Sequence, residues 1–265
     1  MLRVLVNGAD GRMGSQVVKA VYEDKELEFV GGVSITHVGE DAGEIAGIGT
    51  LHMPIREGLA AALEDIKPDV VVDFTTPRVI FENAKICIAH GINMVVGTTG
   101  LTAQQRDELD AMAKEHKTSI FIAPNFSIGA VLMMKLSTEV APYLPDVEII
   151  ELHHNNKLDA PSGTAIMTAN KIAAARSEAQ AVPAEDKTHE SLDGARGAKV
   201  DGIPIHSVRL PGYVAHQQVL FGGYGELLTI RHDSMDRKSF MPGVVLAVKK
   251  VSSRPGLTFG LENYL

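Results

Sequence analysis

The sequence predicts an α/β chain: a doubly wound parallel sheet, and a second α+β domain containing a mostly antiparallel sheet. Three observations carry that expectation. Short apolar runs alternate with helical periodicity through the first half of the chain. The first run, Leu2 to Asn7, leads into Gly8, Gly11 and Gly14, three glycines spaced G-x-x-G-x-x-G at the start of a helical pattern, which makes the sheet Rossmann-type. Later, strand-like runs at Ile205 to Arg209, Val214 to Phe221 and Leu227 to His232 are separated by Pro211-Gly212 and Gly222-Gly223 turns.

Composition narrows the class. A chain of 265 residues, 45% hydrophobic and 22% charged, can bury a substantial core. Its formal charge of -8 argues against nucleic acid as the main partner, since phosphate binding favours a basic face. The one cysteine, Cys87, excludes an intrachain disulfide framework and reads as small core filler. No apolar run reaches the length of a membrane span, and Met1 leads directly into a strand-like run. The expectation is a cytoplasmic protein with no membrane partner.

In chain order, the glycine loop comes first. Gly8 permits the tight turn, Gly11 lets the backbone approach a pyrophosphate, and Gly14 lets the helix, running to about Tyr22, pack on the strand. The next strand, Leu27 to Val33, ends at Ser34 instead of at the Asp or Glu that would take the adenine ribose. Along the chain, acids resume only at Glu40. An acid there would repel a 2'-phosphate, so its absence keeps NADPH open, with Arg12 beside the phosphate. The expected cofactor is therefore NADH or NADPH, and Ser34→Asp is expected to shift preference toward NADH.

A glycine-containing loop to Met53 and a helix from about Glu57 to Asp65 follow. The strand Asp69 to Asp73 then leads into Phe74-Thr75-Thr76-Pro77, with Pro77 in the first turn of a helix near Val79 to His90. The strand Ile92 to Val96 ends in Gly97-Thr98-Thr99-Gly100, before a helix over Thr102 to His116. The strand Ser119 to Ala123 ends in Pro124-Asn125-Phe126-Ser127. In an open parallel sheet these small polar loops line one crevice at the carboxyl ends of the strands, where ligands bind.

Beyond Ser127 the texture changes. Ile128 to Leu144 reads as a long helix whose Met133, Met134 and Leu136 pack the core. A strand from Val147 to Leu152 and a helix from about Ala165 to Ala175 come next. The polar stretch Ala181 to Asp201 is long enough to be mobile or functional. A helical pattern from Met235 to Val251, with Pro242 near its start, returns to the first domain. The expected organisation is a dinucleotide-binding domain over 1–126, a substrate-binding and oligomerisation domain over 127–234, and a C-terminal segment over 235–265.

The densest chemistry lies between the 147–152 strand and the next helix, in His153-His154-Asn155-Asn156-Lys157-Leu158-Asp159-Ala160-Pro161-Ser162-Gly163-Thr164. Imidazoles titrate at about 6.5 and lysine ammonium groups at about 10.4, so the stretch offers groups for proton exchange and for holding anions. Ser162-Gly163-Thr164 opens a helix, where unpaired N–H groups, two hydroxyls and a small glycine make an anion seat. If the strand continues through His153, period two puts Glu151 and His153 on one face and Leu152 and His154 on the other. The chemistry suggests a substrate with carboxylates. Adjacent histidines without an HExxH pattern do not suggest a metal site, and none is expected.

These motifs resemble those of the 4-hydroxy-tetrahydrodipicolinate reductase family, formerly called dihydrodipicolinate reductase. The resemblance spans essentially the whole chain: GADGRMG at Gly8 to Gly14, DFTTP at Asp73 to Pro77, GTTG at Gly97 to Gly100, APNFSIG at Ala123 to Gly129, and ELHHNNKLDAPSGTA at Glu151 to Ala165. It implies reduction of a cyclic dicarboxylate at C4 with loss of the 4-hydroxyl as water, in lysine and diaminopimelate biosynthesis. By resemblance, His153 donates or accepts a proton, Lys157 donates one, and His154, Gly163 and Thr164 contact substrate together with Ser162 of the anion seat. Gly8, Ala9, Asp10, Gly11, Arg12 and Met13 would contact the cofactor, as would Gly97, Thr98 and Thr99. Ala123, Pro124, Asn125 and Phe126 complete that set. The family also implies a homotetramer built through the second domain. Two departures, the missing strand-end acid and Thr76 where some relatives carry Arg, bear on cofactor preference. A rival semialdehyde-type dehydrogenase needs a nucleophilic cysteine in a reactive turn, which Cys87 does not supply. A non-catalytic nucleotide sensor would leave the His-His-Lys cluster unexplained.

Overall fold

A computed structural model describes residues 1–265. The chain divides into two compact units, Met1–Ile128 with Phe240–Leu265, and Gly129–Ser239.

The first unit alternates strands and helices: β1 (Leu2–Asn7), α1 (Gly14–Glu23), β2 (Leu27–Val33), α2 (Ala42–Ala46), α3 (Leu59–Ile66), β3 (Val70–Asp73), α4 (Ile80–Ala89), β4 (Asn93–Val96), α5 (Ala103–Glu115) and β5 (Ser119–Ile122). Val70, Val71 and Val72 are all buried, as are Met94, Val95 and Val96, because a parallel sheet is covered on both faces and its strands read as continuous apolar runs. Thr102 starts α5 with a reciprocal capping box to Gln105, which fixes where that helix begins.

The second unit takes up α6 (Ile128–Val140) from Gly129 onward, then β6 (Asp146–His153), α7 (Gly163–Glu178), β7 (Ala198–Val200), β8 (Ile203–Arg209), β9 (Ala215–Gly223) and β10 (Glu226–Ser234). Its sheet runs β10-β9-β6-β8-β7, with β6 and β8 parallel and the other neighbours antiparallel. The chain then re-enters the first unit through α8 (Met241–Lys250) and β11 (Gly256–Phe259). There β11 pairs with β5, giving a parallel sheet ordered β11-β5-β4-β3-β1-β2.

The structure corrects several readings of the sequence. Pro77 lies in a turn closed by Val79 N–H on the Thr76 carbonyl, and α4 starts only at Ile80. Leu136 is 47% exposed: the buried stripe of α6 is Ala130, Val131, Met133, Met134 and Ser137, at helical spacing that leaves position 136 outside it. That helix also stops at Val140, short of Leu144. The loop after β2 contains α2, whose N-terminal Asp41 accepts from the amides of Gly43 and Glu44. The polar stretch after α7 contains β7. Finally, α8 begins at Met241 after a 3-10 turn over Arg237–Phe240, with Pro242 in its first turn.

Candidate active site

Strand β6 carries Glu151 and His153 on the same face and ends there, and the chemistry grows from that parity. His153 Nδ1 lies 2.5 Å from Glu151 Oε2. Arg209, opposite His153 on the parallel strand β8, grips the same carboxylate with both ends of its guanidinium, 2.7 Å to Oε1 and 2.8 Å to Oε2. The Ser162 amide adds a bond of 3.2 Å to Oε1. Burial alone would raise the Glu151 carboxyl, but hydrogen bonds from His153 and Arg209 prevail and hold it at about 2. An ionised carboxylate only accepts, so His153 Nδ1 carries the proton in that bond, and Nε2 is the nitrogen left for exchange.

The turn between β6 and α7 is tied to this cluster. Arg209 Nη2 also donates to the Asp159 carbonyl at 2.8 Å, and Lys157 Nζ pairs with the Asp159 carboxylate at 2.7 Å. Lys157, with help from the Gly163 backbone, holds the Asp159 carboxyl below its usual range. The predicted anion seat at the start of α7 thus sits beside a carboxylate of the chain itself. Ser162 is 3% exposed and its Oγ accepts from the Ala165 amide at 3.2 Å, so that oxygen caps the helix. A Cβ at Gly163 would meet nothing within 4 Å. The Thr164 carbonyl accepts from the Thr168 hydroxyl, which in turn accepts from Gln217 Nε2 at 2.8 Å. His154 Nδ1 and Arg209 Nε are buried without a hydrogen-bond partner, which leaves polar capacity for a ligand.

Glu151, Asp159 and Arg209 are the residues to which the sequence reading gave no role. The shared face of Glu151 and His153 was a usable signal. Arg209 gave none, because it lies 58 residues from Glu151 and arrives only through strand pairing.

In the first unit, the end of β1, the loops after β3 and β4, and helix α4 meet on one buried carboxylate. Asp73 is fully buried and accepts from Asn7 Nδ2 (2.8 Å), Asn83 Nδ2 (2.9 Å), the Thr75 hydroxyl (2.7 Å) and the Thr98 hydroxyl (2.8 Å). Gly97 must be glycine because a Cβ there would fall 2.1 Å from the Phe74 ring. Gly8 has φ +80°, and a Cβ at Gly14 would come within 1.8 Å of the Gly8 carbonyl oxygen, so the turn and the helix that follows it are in contact. The start of α1 has neither a side-chain cap nor an acid in its first turn, which suits the pyrophosphate of a dinucleotide. Of the other expected cofactor residues, Arg12 and Thr99 are exposed, while Gly11, Met13 and Pro124 are half-buried. Ala9, Ala123 and Phe126 are buried, and Phe126 packs against Phe74 and Phe121 with ring centroids 5.8 and 6.0 Å apart. The Asn125 side chain accepts from the Ser127 amide at 2.8 Å. Asp10 is bonded to Thr36, just beyond β2, so an acid stands in space where the chain order has none. Cys87 is buried, and burial pushes its thiol up, away from nucleophile chemistry.

Comparison with known proteins covers both units. Models described as dihydrodipicolinate reductase, N-terminus, and dihydrodipicolinate reductase, C-terminus, match residues 2–126 and 129–265. A 4-hydroxy-tetrahydrodipicolinate reductase of Listeria monocytogenes serotype 4b (strain F2365) is 50% identical over 264 residues, covering 100% of both chains. One from Syntrophomonas wolfei subsp. wolfei is 48% identical, over 99% of this chain and 98% of its own. Among solved structures, the dipicolinate-bound dihydrodipicolinate reductase of Paenisporosarcina sp. TG-14 superposes with a TM-score of 0.89 at 45% identity, covering 100% of each chain. With both halves matched and full-length identity at this level, the chain belongs to the dihydrodipicolinate reductase family.

Proposed function

We propose that the chain is an NAD(P)H-dependent oxidoreductase that reduces 4-hydroxy-tetrahydrodipicolinate to tetrahydrodipicolinate, with loss of water, in lysine and diaminopimelate biosynthesis. The observation that carries the reading is the chain Arg209–Glu151–His153, built on a fully buried carboxylate beside the start of α7. When bound, the dinucleotide supplies the hydride. His153 gives or takes a proton at Nε2, and Glu151 stabilises the charged imidazolium. Lys157 donates a proton to the substrate, exchanging its bond to Asp159 for one to the ligand. Gly163, Thr164 and the amides opening α7 hold a substrate carboxylate, with His154 contributing its unbonded nitrogen and Ser162 shaping the turn. The dipicolinate in the Paenisporosarcina relative supports a planar ring with two carboxylates as the occupant.

The 1–126 segment is the dinucleotide-binding domain in this reading, and 127–234 the substrate domain. The α1 terminus and Gly8 to Met13 take the pyrophosphate. Gly97 to Thr99 and Ala123 to Phe126 line the far end of the crevice, with Ala9, Ala123 and Phe126 acting through backbone atoms because their side chains are buried.

The decisive experiment is dinucleotide oxidation on addition of freshly generated 4-hydroxy-tetrahydrodipicolinate; dinucleotide binding without substrate-dependent oxidation would refute the reductase. In the same assay, pyridine-2,6-dicarboxylate is expected to compete with substrate and not with the dinucleotide. Gly163→Ala is expected to weaken that inhibitor by about 1 to 3 kcal/mol, the scale of forcing a methyl group into filled space. The fold itself has room for the methyl, so stability should be unchanged and the loss would report the ligand. An unaltered inhibition constant would place the carboxylates elsewhere.

A homotetramer assembled through the second unit is part of the proposal. Edge strand β10 is largely exposed, with Leu227 at 84%, and an open strand edge with apolar side chains invites a partner. Light scattering should give four times the 28.4 kDa protomer, and a monomer would contradict the assembly. A cytoplasmic location is proposed with it, to be checked by cell fractionation. No helix is long and apolar enough to cross a membrane.

A further inference from the structure

In doubly wound folds the strand after the glycine turn usually ends in an acid that hydrogen-bonds the adenine-ribose hydroxyls and repels a 2'-phosphate. Here β2 ends at Val33 and is followed by Ser34, Ile35 and Thr36. Yet Asp10, from the glycine turn itself, reaches that corner. The Thr36 hydroxyl donates to Asp10 Oδ2, the Ser34 hydroxyl also bonds the carboxylate, and the Thr36 amide donates to Ser34 Oγ at 3.3 Å. Ser34 is buried and Asp10 is part-exposed, so two hydroxyls anchor the carboxylate while one side of it faces outward. Burial raises the Asp10 carboxyl, but the Ser34 and Thr36 bonds outweigh it and keep the group ionised at neutral pH. The neighbouring charges do not cancel it. His37 bonds Glu40 at 3.0 Å, and Arg12 makes no ion pair with Asp10.

We infer that Asp10, anchored by Ser34 and Thr36, is the cofactor-specificity residue of this chain, accepting the ribose hydroxyls of NADH and disfavouring the 2'-phosphate of NADPH. The inference rests on the dinucleotide crevice proposed above. It reverses the expectation drawn from Ser34 alone: the strand-end acid is supplied by the glycine turn.

Binding of the full-length protein is titrated calorimetrically with NADH, NADPH, adenosine 5'-phosphate and adenosine 2',5'-bisphosphate, for wild type, Asp10→Asn and Asp10→Ala. Wild type should prefer NADH by about tenfold or more, the size of one like-charge contact near a protein surface. Asp10→Asn keeps the side-chain shape and should remove most of the gap by tightening NADPH, with the two adenosine fragments following the same order. A wild type that prefers NADPH, or a ratio unchanged in both variants, overturns the role of Asp10 while leaving the crevice intact. Failure of both dinucleotides to bind overturns the crevice and the inference together.

Discussion

Replacing His153 by alanine is expected to cut turnover by about 10²-fold or more, the usual scale for losing a general acid or base. The expectation follows from geometry. Its Nδ1 is committed to Glu151, which leaves Nε2 as the nitrogen that exchanges protons. Lys157→Ala should produce a loss of the same order, because its ammonium is the proposed proton donor held in this turn by Asp159. Neither substitution should alter dinucleotide affinity, since both residues belong to the second unit and the glycine turn to the first. Glu151→Gln separates positioning from proton transfer: an amide keeps the shape but can present either an oxygen or an NH₂ group to the ring, so the tautomer is no longer dictated. Turnover should then fall less than in His153→Ala, with KM little changed. Steady-state kinetics and dinucleotide titration measure all three, and near wild-type turnover in both alanine variants would sink the assignment.

What could be read from the sequence was whatever is local. Short apolar runs and the 3.6-residue pattern located most of the alternating strands and helices of the first unit, and the predicted Leu27 to Val33 strand coincides with β2. Strand β11 was not legible, because four residues between Pro255 and Gly260 have no periodicity of their own and become a strand only by pairing with β5. Pro77 was misplaced for a related reason: a proline fits both a helix start and a turn, and the carbonyl that closes the turn is not visible in composition. The motif residues from His153 to Thr164 are contiguous, so they could be named. Asp10 was named in the glycine motif, but its bond to Thr36 and the bond of Arg209 to Glu151 form through space, one across a turn and one across a sheet, and Thr36 and Glu151 carry no mark of the pairing.

Arg209 carries the largest expected effect on stability. Glu151 is fully buried, and Arg209 supplies two of its hydrogen bonds while also bonding the carbonyls of Val208 and Asp159. Arg209→Leu removes the guanidinium but leaves the carboxylate in place, and breaking one side of a buried pair costs about 3 to 5 kcal/mol. The pH dependence has a definite sign. The folded Glu151 carboxyl, at about 2, lies below its ordinary 4.5, so its contribution is complete above 4.5 and is lost as pH falls toward 2. The difference between wild type and Arg209→Leu should therefore be largest near neutral pH and shrink through that acid window. Glu151→Gln added to Arg209→Leu should recover part of the loss, because the orphaned charge is gone. Urea denaturation at a single protein concentration, repeated from neutral to acid pH, measures both effects. If Arg209→Leu stays within about 1 kcal/mol of wild type, the value of an exposed ion pair, then the clamp on Glu151 does not hold the β6 turn and His153 must be oriented by something else.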